Sequence, residues 1–157
     1  MNQYDELPDD NLQAISTVNE GDTTNRTVQF VEIAMEQLKA IGMVTPDSAN
    51  SQLLQEYRMI KRPLLKYAFN QRDSEHNNNL VMVTSANPGE GKTFTTVNLA
   101  MSIAMERDRT VLLVDADVVR PSVSGLLGIH REPGLVDYLL SEETELSDIL
   151  VRTNIPN

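Results

Sequence analysis

The chain has 157 residues, 40% of them hydrophobic, which suffices for one domain with a real core. Its net charge of −10 argues against a nucleic-acid partner, because phosphate backbones select basic faces. Cysteine is absent, so disulfides and thiolate metal sites are excluded and a reducing cytosol is allowed. No apolar run approaches the roughly 18 residues of a membrane span, and the acidic N-terminus does not read as a signal peptide.

Residues 1–24 carry six acidic side chains, no basic one and few large apolar groups. Such a segment buries too little surface to order itself and reads as a solvated tail, with a docking peptide as the alternative. A helix is expected over 27–41, with Phe30, Ile33, Ala34, Leu38 and Ile41 on one face and Gly42 placed to end it. Its stripe must be buried on this domain or on a partner. Thr45, Pro46 and Asp47 read as a turn. The domain expectation is therefore an acidic tail over 1–26, a helix and linker over 27–50, and an α/β domain over 51–157.

A second helix is expected over 51–69, with Leu53, Tyr57, Ile60 and Leu64 on one face and Pro63 placed to kink it or end its first part. Arg58, Lys61, Arg62 and Lys66 make it the most basic stretch, read either as a solvated face or as a contact surface. Residues 70–79 form a polar loop containing His76. His76 and the later His130 have no companion ligand and read as incidental.

The stretch from 80 to 115 organises the chain. Leu80, Val81, Met82, Val83 and Thr84 form an apolar run of strand length. It feeds Ala86-Asn87-Pro88-Gly89-Glu90-Gly91-Lys92-Thr93, a Walker A phosphate loop by pattern. Gly89 and Gly91 can take backbone angles closed to other residues, turning successive N–H groups toward phosphate oxygens. Lys92 then reaches the outer phosphates, the Thr93 hydroxyl ligates magnesium, and Phe94 continues into a helix whose positive end faces the anion. That helix favours the anion by about 0.3–1 kcal/mol. Val97, Ala100, Met101, Ala104 and Met105 recur at helical spacing and mark the face it packs on a sheet. Thr110 to Val114 is apolar enough to be a parallel strand buried on both faces. It delivers Asp115 and Asp117 to the carboxyl end, where ligands bind in open α/β sheets. Beside phosphates, the two carboxylates can hold magnesium or orient an attacking hydroxyl; a strand-ending Asp and a helix-capping Asp is the alternative.

Arg120-Pro121 breaks the strand pattern, and 122–129 reads as a short helix or an ordered loop. Residues 134–140 and 145–151 read as two short helices, with no strand after them. Two strands fall short of the five or more usual in a doubly wound sheet, and no second apolar run closed by an acidic residue supplies a Walker B motif. The expectation is the N-terminal part of a longer protein.

The phosphate loop, Asp115-Ala116-Asp117-Val118-Val119-Arg120-Pro121, Glu56-Tyr57-Arg58-Met59-Ile60-Lys61-Arg62-Pro63-Leu64-Leu65 and Gly134-Leu135-Val136-Asp137-Tyr138-Leu139 together resemble the bacterial tyrosine kinases of exopolysaccharide synthesis. The likeness is to the exosortase-associated tyrosine autokinases and covers about 28–157. It implies a P-loop NTPase fold of partial doubly wound parallel sheet with a helical N-terminal extension. It also implies ATP and Mg2+ as cofactors and transfer of the γ-phosphoryl group to tyrosine hydroxyls. By the resemblance, residues Asn87 to Phe94 hold the nucleotide, Thr93, Asp115 and Asp117 serve the metal, and Lys92, Asp115 and Asp117 are catalytic. It further implies a membrane co-polymerase partner at the inner face of the cell membrane, and self-association into a ring through the positions of a Glu-x-x-Arg-x-x-Arg helix, here Gln55, Arg58 and Lys61. Arg120 lies one position beyond the family's arginine, and Val119 stands in its place.

Two other readings compete. Division and partition ATPases share the fold but carry a signature lysine where Asn87 stands. A non-catalytic, nucleotide-binding regulator of polysaccharide assembly is the alternative outside enzymes.

Overall fold

The computed structural model describes residues 28–48, 51–69, 79–129 and 133–156. The acidic tail, His76 and His130 lie outside them. In chain order the described elements are β1 (Gln29–Val31), α1 (Met35–Ala40), a 3-10 turn (Pro46–Ser48), α2 (Gln52–Ala68), α3 (Lys92–Ala104), α4 (Val123–Leu126), α5 (Leu135–Leu140), α6 (Leu146–Ile149) and β2 (Val151–Thr153). Helices and a small parallel sheet make this an α/β chain.

The sheet is not the one expected. Among the described residues the paired strands are β1 and β2, parallel, with Gln29, Phe30 and Val31 opposite Val151, Arg152 and Thr153. Residues 28–41 are thus a strand followed by a short helix, not one helix. Phe30 fits the helical stripe of Ile33 and Ala34 and equally an alternation with Val28, and pairing with a distant strand decides between the two periods. The strand at 151–153 also corrects the expectation that none follows the last helix. Asn154 extends the pairing: its Oδ1 accepts the Ile33 N–H at 2.9 Å and its Nδ2 donates to the Ile33 carbonyl at 3.1 Å.

The apolar runs at 80–84 and 110–114 join no described sheet. In the second run Val111 and Leu113 are half-buried while Leu112 and Val114 are 66% and 52% exposed. Leu113 packs on the core. One face of that run is covered and the other open, which corrects the expectation of burial on both faces. No described element lies over Leu112 and Val114.

Helix α2 is capped by Ser51, whose hydroxyl accepts the Leu54 N–H at 3.1 Å, and it runs without a break through Pro63. Its buried side is Leu54, Tyr57 and Lys61, one residue on from the stripe expected at Leu53 and Ile60. The shift has a chemical cause: Lys61 buries its methylene stem like an apolar side chain while its ammonium finds acceptors inside. Helix α3 packs against α2, burying Val97, Asn98, Leu99, Met101, Ser102 and Ala104. With Ile33, Leu38, Met43, Val44 and Leu127, these two helices build the core. Asn98 is fully buried, and its Oδ1 accepts the Val44 N–H at 2.7 Å, tying the segment before the 3-10 turn to the middle of α3. The core therefore holds α3 along its length, and the loop at its N-terminus is carried on a fixed support.

Candidate phosphate and carboxylate site

The loop before α3 takes its shape from two glycines. Gly89 has φ +79° and Gly91 φ +88°, a region side chains rarely adopt, and a Cβ at either would meet nothing within 4 Å. Glycine is needed for the torsion and not for space. Gly91 is the N-cap of α3 and brings no side chain to it; the first closing bond runs from the Thr95 N–H to the Gly91 carbonyl at 2.8 Å. The N–H groups of Lys92, Thr93 and Phe94 precede that bond and have no partner within the helix.

Side chains close the loop from both ends. Lys92 Nζ donates to Ser85 Oγ at 3.2 Å, and Ser85 Oγ donates to the Asn87 carbonyl at 3.1 Å. The Glu90 carboxylate accepts from the Asn87 N–H and from Asn87 Nδ2, both at 3.0 Å. These bonds, the Asn87 side chain first, hold the exposed Glu90 carboxyl below its ordinary range. Pro88 and Gly89 form the exposed tip, and the Phe94 ring packs on the core. Phe94 can therefore offer an anion only its backbone.

The carboxylate segment meets this loop. Asp115 Oδ2 accepts the N–H groups of Ser122 and Val123, each at 2.9 Å, and Oδ1 accepts that of Asp117 at 3.1 Å. Asp115 thus caps the start of α4. Asp117 Oδ1 accepts the Arg120 N–H at 3.1 Å. Ser122 Oγ lies 2.6 Å from Thr93 Oγ1, joining the two segments. Lys92, Thr93, Ser122 and Asp115 consequently belong to one assembly, and Asp117 sits on its outer turn.

The uncapped N–H groups of α3 and the Thr93 hydroxyl oxygen at its start suit a polyphosphate with its cation. Lys92 and those N–H groups would hold the phosphates, and Thr93 a magnesium ion. Among the described residues no three His, Asp or Glu side chains are grouped to hold a metal ion. Magnesium bound here would take its remaining ligands from phosphate oxygens and water, as it commonly does.

One expected contact residue is elsewhere. Lys61 is 3% exposed; its Nζ donates to the Ser102 carbonyl and lies 2.7 Å from Glu106 Oε1. It is committed within the chain, which corrects its assignment to an intersubunit face with Gln55 and Arg58. Gln55 is exposed and Arg58 half-buried. Sequence reasoning also missed Ser122 as the link between the two motifs, and Asn98 as the tie to Val44. A serine after Arg-Pro carries no pattern, and only the fold brings it to Thr93.

Comparison with known proteins bears on these motifs. The family model described as ParA, NUBPL iron-transfer P-loop NTPase, matches residues 76–146. The chain is 37% identical over 108 residues to the tyrosine-protein kinase YwqD of Bacillus subtilis, covering 69% of this chain and 42% of that protein. It is 43% identical over 79 residues to the tyrosine-protein kinase CpsD of Streptococcus pneumoniae, covering 50% of this chain and 34% of that one. With the tyrosine-protein kinase etk of Escherichia coli K12 it shares 40% identity over 76 residues, 48% of this chain and 10% of the kinase. The chain thus spans less than half the length of each of these relatives. No solved structure matches it significantly.

Proposed function

From a P-loop NTPase domain of ParA type, related to bacterial tyrosine-protein kinases, we propose that the chain is the ATP-binding part of a protein-tyrosine autokinase that regulates exopolysaccharide synthesis and export. The observation that carries the reading is the hydrogen-bonded run from Thr93 through Ser122 to Asp115, which unites the phosphate loop with the Asp-x-Asp segment. Bound MgATP supplies the transferable phosphoryl group and the cation that offsets its charge. The chain's own residues do the rest. Lys92 and the first N–H groups of α3 orient the phosphates and offset their charge. Thr93 presents a hydroxyl oxygen to the metal. Asp115 fixes the geometry of the segment, and the exposed carboxylate of Asp117 would receive the proton of a tyrosine hydroxyl.

A membrane co-polymerase at the inner face of the cell membrane is the partner this reading implies. Self-association then runs through Gln55 and Arg58 without Lys61. A second reading, nucleotide binding without turnover, is favoured by Asp115 itself, whose oxygens already accept three backbone N–H groups. The purified gene product, parent and Lys92→Met, separates the two when incubated with labelled ATP and magnesium and probed for phosphotyrosine. Phosphotyrosine lost with Lys92→Met supports the kinase; retained nucleotide with no phosphotyrosine supports the regulator. Phosphorylation by Lys92→Met at the parent rate overturns the assignment of this loop.

A further inference from the structure

We propose that Ser122 is a positioning residue for magnesium, acting through Thr93 as the acceptor of that side chain's hydroxyl proton. The inference rests on the nucleotide-site reading above and assigns a role to a residue outside both motifs. Three observations carry it. Ser122 Oγ is 2.6 Å from Thr93 Oγ1, at the short end for a bond between two hydroxyls. Ser122 stands at the N-cap of α4, where a serine hydroxyl ordinarily accepts a helix N–H, yet it makes no cap bond. That task falls to Asp115 Oδ2, which takes the N–H groups of both Ser122 and Val123. Relieved of capping, the Ser122 hydroxyl is turned to the phosphate loop instead.

The chemistry gives that turn a purpose. A hydroxyl ligates a cation through an oxygen lone pair, and the cation withdraws density from its O–H bond. The proton then needs an acceptor, and an acceptor fixed in place both orients the ligand and raises its basicity. Ser122 Oγ meets that need, and its own position is set by the Asp115 carboxylate through the backbone. Asp115 thereby serves the metal at one remove, through Ser122 and Thr93, even with its oxygens occupied by N–H groups.

The test is a magnesium titration of fluorescent ATP-analogue binding to the 157-residue chain, for the parent, Ser122→Ala, Ser122→Thr and Thr93→Ala. Ser122 is exposed and donates to Asp115 through its backbone, so the alanine variant keeps that bond. The magnesium midpoint should rise about tenfold in Ser122→Ala, the low end for loss of a partner behind a metal ligand. Nucleotide affinity in EDTA should stay unchanged, Ser122→Thr should restore the parent midpoint, and Ser122→Ala should add nothing in the Thr93→Ala background. A parent midpoint in Ser122→Ala, or an equal loss of affinity with and without magnesium, overturns the role of Ser122 and leaves the nucleotide site standing. A parent chain that binds nucleotide without any magnesium dependence overturns the magnesium role alone, and one that binds no nucleotide overturns both.

Discussion

Lys61 and Glu106 form an ion pair of 2.7 Å in which the cation is 4% exposed at its side chain and the anion 50%. The asymmetry decides what each partner contributes. Removing Lys61 leaves a carboxylate that water can solvate, whereas removing Glu106 leaves a buried ammonium with the Ser102 carbonyl. Glu106→Ala should therefore cost more stability than Lys61→Met, about 1–3 kcal/mol against about 1 kcal/mol. The double variant should recover part of the loss. Urea unfolding of the four proteins measures it, and equal single costs would contradict the asymmetry.

The same pair predicts a response to acid. Hydrogen bonding to Lys61 first, then its charge, with smaller help from Arg58 and Arg62, holds the Glu106 carboxyl below its ordinary value. With the folded value the lower one, the contribution is complete above the unfolded pKa, about 4.3, and drains away as pH falls through the folded value. The urea midpoint should fall on acidification below about pH 4.3, less steeply in Glu106→Gln. Parallel curves for parent and variant would exclude Glu106 as the group responsible.

At the sheet, Asn154 pairs with both the N–H and the carbonyl of Ile33, a residue 2% exposed. Asn154→Ala leaves two backbone groups of a buried residue without partners and should cost about 1–3 kcal/mol. Asn154→Asp can still accept but no longer donates, and should lie between. Hydrogen exchange at the Ile33 amide reads the effect locally, and unchanged protection in the alanine variant would contradict it.

Asp115→Ala removes the acceptor for two N–H groups at the start of α4 and for a third at Asp117. A helix cap lost in this way costs about 0.5–2 kcal/mol. The melting temperature should drop and proteolytic cleavage should appear between 115 and 123. A variant as resistant as the parent would show that the carboxylate is not what orders this segment.

Much of the site was readable from the chain because its signals are local. The spacing of Gly89, Gly91, Lys92 and Thr93 fixes a torsion, a charge and a hydroxyl within five residues, and the apolar period after it gives α3. The sheet was not readable. Three-residue strands have no period of their own, and β1 forms because Val31 meets Thr153, far along the chain. Lys61 misled for another reason. A lysine counts as polar in any pattern, yet its four methylenes fill the place of an apolar side chain when acceptors such as the Ser102 carbonyl wait inside. Thr93 and Ser122 are 29 residues apart, and only the packed chain makes them neighbours.

The glycine cap of α3 has a consequence for how long the protein lasts. The helix that carries Val97, Leu99 and Met101 into the core begins with donors that no side chain covers. Whatever anion settles there completes the helix, so its affinity becomes resistance to unfolding. By mass action, a ligand at a hundred times its dissociation constant adds about 2.7 kcal/mol to stability. On the proposed nucleotide reading, the loaded protein would then resist unfolding longer than the empty one.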